Sequence, residues 1–281
     1  MALTLTGAGA VYGAGTRYAR QALSGVDLVV ERGDLVLVLG ATGSGKSTLL
    51  RAAAAVLPLS EGAVSIDGTA VDAPASDRRE RRIGLVFQDP ETQLFADTVL
   101  EDVSFGPRNL DSEDPVGDAR KAIERVGLDP DSFADRSPFT LSGGEARRVA
   151  IAGVLAMDPA YLLMDEPTAG LDAAGRDSVL DAVRSAREHA GIVVVTHDAE
   201  ELLADADHVV ILVEGKIAFS GAAEQLVRDP SAFAAAGLLA PDVLAVQAIA
   251  RSRGVDLPAF ALDPEVVADT LGRVLEAGES R

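Results

Sequence analysis

Cysteine is absent from this 281-residue chain, which excludes disulfides and thiolate-held metal sites and fits a reducing cytosol. Long apolar runs are missing too. None approaches the roughly 18 residues of a spanning helix, and the opening MALTLTGAG is not a basic region followed by an apolar stretch. Any membrane role is therefore expected to go through a partner. Basic residues are scarce: 25 Lys and Arg against 44 Asp and Glu leave a formal net charge of −19. Neutralising nucleic-acid phosphates needs a basic surface, so nucleic acid is not an expected partner. The short run DRRERR at 77–82 reads as a solvated helix end before a strand. With 48% apolar residues, the chain can bury one large core plus an accessory region.

Lysine occurs only at positions 46, 121 and 216, and the first of these falls in GATGSGKST at 40–48. That block has the form G-x-x-x-x-G-K-[ST], in which Gly40 and Gly45 let backbone N–H groups turn inward around phosphates. Lys46 is expected to reach the outer phosphates, and the Ser47 hydroxyl is placed for Mg²⁺. DLVLVLG before it reads as a strand buried on both faces, and TLLRAAAAVL at 48–57 as a helix. Strand, glycine loop and helix together aim a helix N-terminus at an anion.

Three further blocks follow in order. YLLMDE ends an apolar strand with Asp165, suited to hold Mg²⁺, and Glu166, suited to orient or deprotonate an attacking water. LSGGE at 141–145 opens a helix with an S-x-x-E capping box from Ser142 to Glu145. The same helix start is an anion site, with the Ser142 hydroxyl and the Gly143 and Gly144 N–H groups free to close on a γ-phosphate. VTHD sets His197 at another strand end, where a histidine can polarise a phosphate oxygen. Gln88 follows IGLVF at a further strand end, where its amide could contact Mg²⁺ or the water.

Apolar runs of strand length at 2–6, 27–30, 34–40, 63–67, 82–87, 161–165, 191–196 and 208–213 alternate with helical patterns such as 174–190. This predicts an α/β fold: a mostly parallel sheet with helices on both faces, a small N-terminal β region, and a helical subdomain inserted at about 90–153. Prolines at 230, 241, 258 and 264 punctuate a helical C-terminal extension over 226–281, beyond a main domain at 1–225.

In identity, order and spacing these blocks resemble the ATP-binding subunits of ABC transporters, and the resemblance covers about residues 2–222. It implies a P-loop NTPase core that binds ATP and Mg²⁺. Phosphate contacts would come from Gly40, Thr42, Gly43, Ser44, Gly45, Lys46, Ser47 and Thr48. The Q-loop falls at Gln88, the ABC signature at 141–145, the catalytic glutamate at Glu166, the D-loop at 169–172 ending in Asp172, and the switch histidine at His197. Tyr12 in AVYGAG would stack on adenine, ahead of Tyr18. The partner would be a second ABC ATPase, identical or different, in a head-to-tail dimer.

A narrower resemblance lies in FQDPETQLFADTVLEDVSFGPRN at 87–109. It is similar to the ATPases of energy-coupling factor importers, which take up vitamins or cobalt and nickel. In that family a P-[DE]-x-Q-apolar motif, here Pro90, Glu91, Gln93 and Leu94, receives the coupling helix of a transmembrane subunit. A further membrane subunit binds the solute, and the ATPase lies on the cytoplasmic face. Leu94 and Phe95 are expected to offer the apolar docking face. Glu145 departs from the family's usual Gln, yet either side chain completes the capping box. The alternatives are an ATPase of another ABC transporter type and a non-transport ABC ATPase; the latter would need a coiled-coil insertion or a second ATPase module.

Overall fold

The computed structural model describes residues 1–71, 83–89, 93–255, 257 and 261–279. The chain opens with strands β1 (Ala2–Tyr12), β2 (Arg20–Glu31) and β3 (Leu35–Leu39), then helix α1 (Lys46–Ala53). Strands β4 (Glu61–Ile66), β5 (Thr69–Val71) and β6 (Ile83–Val86) follow. Next come helices α2 (Val99–Asn109), α3 (Pro115–Arg125), α4 (Pro130–Phe133) and α5 (Gly143–Leu155). The second half alternates β7 (Tyr161–Asp165), α6 (Ala173–Ala186) and β8 (Gly191–Val195), and then forms the hairpin β9 (His208–Val213) and β10 (Lys216–Ala222). Four helices end it: α7 (Ala223–Arg228), α8 (Ser231–Ala235), α9 (Asp242–Ser252) and α10 (Pro264–Glu279).

Two sheets result. β2-β1-β4-β5 is antiparallel, and β10-β9-β3-β8-β7-β6 is parallel except for the edge strand β10. Every residue of β3, β7 and β8 is buried, as strands covered on both faces must be. Side chains alternate across such a strand, and the core divides accordingly. Leu35, Leu37, Leu162, Met164, Ile192 and Val194 pack with apolar residues of α2, α3, α5 and α6. Val36, Val38, Tyr161, Leu163, Val193 and Val195 pack with α1 and the antiparallel sheet. The consequence for function is positional. β3, β8, β7 and β6 are parallel neighbours, so the segments after them, carrying Lys46, His197, Glu166 and Gln88, emerge at one end of the sheet.

Several boundaries differ from the sequence reading. β1 and β2 run well past 2–6 and 27–30, because their antiparallel pairing continues through register shifts between Leu5 and Ala8 and on to Tyr12 opposite Arg20. α1 begins at Lys46 and ends at Ala53 rather than covering 48–57. Ala55 is left-handed at φ 51°, and Leu57 precedes Pro58, which disfavours helix at that residue. The run DRRERR at 77–82 lies outside the described residues. The C-terminal helices are present as expected. They reach the core through Leu226, Val227, Phe233 and Leu244, and the Asp242 N–H donates to Glu200 Oε1 at 2.8 Å.

Candidate active site

The phosphate loop is shaped by close approach. A Cβ on Gly40 would lie 2.6 Å from the Leu212 carbonyl, and one on Gly45, at φ 109°, would lie 2.6 Å from that of Ala22. Neither position accepts a side chain without moving the backbone. The buried Lys46 ammonium donates to the Gly40 and Ala41 carbonyls at 2.6 and 3.2 Å. Burial lowers its pKa, opposed by the charges of Glu166 and Asp165. Ser44 Oγ is buried in the loop and has no hydrogen-bond partner among the described residues. Thr42 and Gly43 are exposed, and Thr48 is buried.

Asp165 ends β7 almost fully buried, and burial raises its pKa, while hydrogen bonding to Ser47 and the Lys46 charge pull it down. Its oxygen and that of Ser47 are hard donors in contact. Among the described residues no group of three His, Cys, Asp or Glu could hold a metal alone. Two oxygens with the remainder supplied by phosphates is the usual Mg²⁺ arrangement, so the pair fits that ion.

Glu166 follows in a left-handed conformation at φ 51°, which costs a non-glycine residue roughly 1–3 kcal/mol. Its N–H donates to the Val195 carbonyl at 2.9 Å. Both carboxylate oxygens lie 2.9 Å from His197 Nδ1, and the Thr196 hydroxyl approaches Oε2 at 3.3 Å. The Glu166 side chain is 12% exposed and that of His197 72%, so the histidine reaches out over a sheltered carboxylate. Gln88 is exposed just beyond β6.

Tyr12, expected to stack on adenine, lines a cleft of about 410 Å³ together with Gly43, Lys46, Ser47 and Thr48. Its hydroxyl lies 3.4 Å from Thr48 Oγ1. Tyr18 is not part of that lining; it is 73% exposed, with the Arg17 guanidinium 4.8 Å from its ring centroid.

The signature segment is elsewhere. Ser142, Gly143, Gly144 and Asp172 do not line the cleft. Ser142 and Glu145 form the expected capping box, with Arg136 paired to Glu145 at 3.1 Å. The Ser142 N–H contact is the main reason the Glu145 carboxyl titrates below its ordinary range. A Cβ on Gly143 would meet nothing within 4 Å, so that face is open. On Gly144 it would touch Leu171 at 3.3 Å, which packs the signature start against the D-loop. Asp172 caps α6, its Oδ1 accepting the Gly175 N–H at 2.8 Å.

Around the proposed coupling motif the outcome is mixed. Pro90 and Glu91 lie outside the described residues. Gln93 Nε2 donates to the Leu85 carbonyl at 3.3 Å. Leu94 is buried in the core rather than offered to a partner, because its side chain packs under α2, whereas Phe95 is 57% exposed and stacks edge-on against Phe105 at 4.8 Å.

Two features escaped the sequence reading. The β9–β10 turn at Glu214 and Gly215 lines the cleft, and the Gly215 N–H donates to the Ser44 carbonyl at 2.8 Å, bracing the phosphate loop. An E-G pair between two apolar runs was its available signal. The other is Arg147, whose guanidinium meets the Gln88 and Glu166 carbonyls; nothing in the sequence pattern marks it.

Residues 23–169 match the ABC transporter family. The chain belongs to that family. It is 43% identical over 262 residues to the energy-coupling factor transporter ATP-binding protein EcfA2 of Symbiobacterium thermophilum, covering 92% of this chain and 89% of that one. The protein of the same description from Bacillus subtilis is 41% identical, covering 83% and 87%. Among solved structures, cbiO1 from Clostridium perfringens, part of the ABC transporter complex cbiONQ, superposes with a TM-score of 0.69 at 32% identity, covering 88% of this chain and 98% of that one. A dimeric ATP-binding cassette in a post-hydrolysis state with ADP and Pi gives a TM-score of 0.71 at 27% identity, covering 79% and 98%. The fold is thus that of an ABC ATPase cassette, and the chain is an ATP-hydrolysing transporter subunit that binds nucleotide.

Proposed function

We propose that this chain powers an energy-coupling factor importer of a vitamin or of cobalt or nickel ions, from the cytoplasmic face of the membrane. Residues 1–225 act as the ATPase domain, with a helical insert at 90–153, and 226–281 as an extension. ATP binds with its phosphates in the loop at 40–48 and its adenine against Tyr12. Ser47 and Asp165 would hold Mg²⁺, with Gln88 nearby, and the ion would offset phosphate charge. Glu166 orients a water and takes its proton as the water oxygen bonds to the γ-phosphorus and the bond to ADP breaks. His197 holds the Glu166 carboxylate and reaches the leaving phosphate.

The observation that carries this reading is the pairing of Glu166 with His197 beside Lys46 and Asp165, at the end of the sheet where the phosphate loop also emerges. Among the described residues, the signature helix start of the same chain does not line the cleft. Ser142, Gly143 and Gly144 of a second ATPase subunit, closing head-to-tail with Asp172 near the junction, would supply an outer anion donor. Phe95 and Phe105, both exposed and in edge-on contact with each other, support a seat for the transmembrane coupling subunit, while a separate membrane subunit selects the solute.

Co-expression of the full chain with its membrane subunits, followed by uptake of labelled vitamins and of cobalt and nickel into vesicles, tests the proposal. The expected result is ATP-dependent accumulation of one of these solutes. ATP hydrolysis by a complex that accumulates none of them, in either direction of assembly, would reassign the chain to another ABC transporter type.

A further inference from the structure

Arg147 lies on α5, five residues beyond Ser142, and its two terminal nitrogens each donate to a backbone carbonyl. One bond goes to Gln88 at 2.8 Å and the other to Glu166 at 2.6 Å. These carbonyls follow β6 and β7, which are paired strands. A planar guanidinium presents several N–H donors in a fixed fork, so one side chain can hold both strand ends at a set separation, which the rotatable donors of an ammonium do not fix. Burial disfavours the Arg147 charge, and Asp89 and Glu166 favour it.

The grip on Glu166 matters because its φ of 51° persists only where neighbours fix it. Val195 accepts its N–H and Arg147 holds its carbonyl, so the residue is restrained on both sides. We propose that Arg147 is a positioning residue for hydrolysis, making the aim of Glu166 and the seat of Gln88 depend on the placement of the signature helix. This rests on the function proposed above, in which Ser142, Gly143 and Gly144 serve the partner's nucleotide while Glu166 serves this subunit's own. The clamp then links the two sites of a dimer through one rigid helix.

The test compares Arg147→Met, Arg147→Lys and Arg148→Met in the full chain assembled with its partners, reading kcat, KM for ATP and the Hill coefficient. Arg148 is the neighbouring control; its bond to the Gly127 carbonyl at 3.2 Å ties α5 to the turn after α3 and not to the ends of β6 and β7. Arg147→Met should lower kcat on the order of 10- to 100-fold, as expected for a misaimed catalytic group, with KM little changed and the Hill coefficient reduced toward one. Arg147→Lys should recover part of the rate, since its ammonium keeps donors for the carbonyls but not the fixed fork that sets their separation, and Arg148→Met should stay near wild type. Wild-type kcat in Arg147→Met, an equal loss in Arg148→Met, or no advantage of Lys over Met would overturn the clamp while leaving the ATPase reading intact. If Arg147→Met does not fold by circular dichroism, the Lys variant decides: unchanged kcat and Hill coefficient there overturn the proposal. A wild-type chain that hydrolyses no ATP would overturn the functional reading, and the clamp with it.

Discussion

At the ends of β3, β7 and β8 the polar groups are gathered and occupied with one another, whereas at the start of α5 they stand open. Lys46 is held by two loop carbonyls, Asp165 by Ser47, and Glu166 by His197 and Thr196. A Cβ on Gly143, by contrast, would meet nothing within 4 Å, and the Ser142 hydroxyl accepts the Glu145 N–H of its own helix turn. Both regions are proposed to receive an anion, and of the two the phosphate loop lines the cleft that also holds Tyr12 while Ser142, Gly143 and Gly144 do not. On the function proposed above, the difference teaches that a single chain would carry one site's floor and another site's lid.

The most severe way to break the enclosed half is Glu166→Gln. Phosphate release should fall by at least about 100-fold, because the base is lost while the phosphate cradle remains. ATP binding should persist, and an ATP-bound dimer should accumulate in light scattering. A near-normal rate would remove Glu166 from its role. Tyr12→Ala should separate binding from chemistry within the same half. KM for ATP should rise about tenfold with kcat little changed, as for loss of one aromatic stack on a base; a lower kcat at unchanged KM would contradict the assignment.

The smallest effect is a control at the other end of β7, where Tyr161 donates to Asp67 Oδ1 at 2.9 Å. Burial pushes its phenol up to about 12 from 10.0. The folded state therefore keeps this proton longer than the unfolded one. The stabilisation it gives is fully present below pH 10 and is lost as pH rises toward 12. Denaturation midpoints should decline over that window in the wild type, and Tyr161→Phe should remove this part of the decline. An identical decline in both proteins would assign it to other groups.

The enclosed half was legible in the sequence because each of its residues follows an apolar strand run or a glycine loop, and ends of parallel strands emerge on one side of the sheet; the strand order β3-β8-β7-β6 is set by tertiary pairing and was not predicted. Both the Ser142 capping box and the Gly40 and Gly45 loop positions are local patterns. What escaped depends on long-range contact. Arg147 reads as one more exposed helix cation until packing brings it to carbonyls 59 and 19 residues away. Leu94 and Phe95 are adjacent and both apolar, yet one enters the core and the other stays out; only the direction of the chain leading into α2 decides which. Extra strand length in β1 and β2 likewise comes from pairing through bulges, which interrupt the alternation that marks a strand.

The comparison between floor and lid is tested most directly by mixing Lys46→Ala chains with Ser142→Arg chains and measuring ATP hydrolysis. Each variant alone should be inactive, one for want of a phosphate ligand and the other for want of an open lid. In a mixed dimer, the Ser142→Arg chain keeps an intact floor and the Lys46→Ala chain an intact lid, so one complete site forms. Hydrolysis above either parent is the predicted result. Mixed dimers that demonstrably form, yet recover no hydrolysis, would contradict a site shared between two chains.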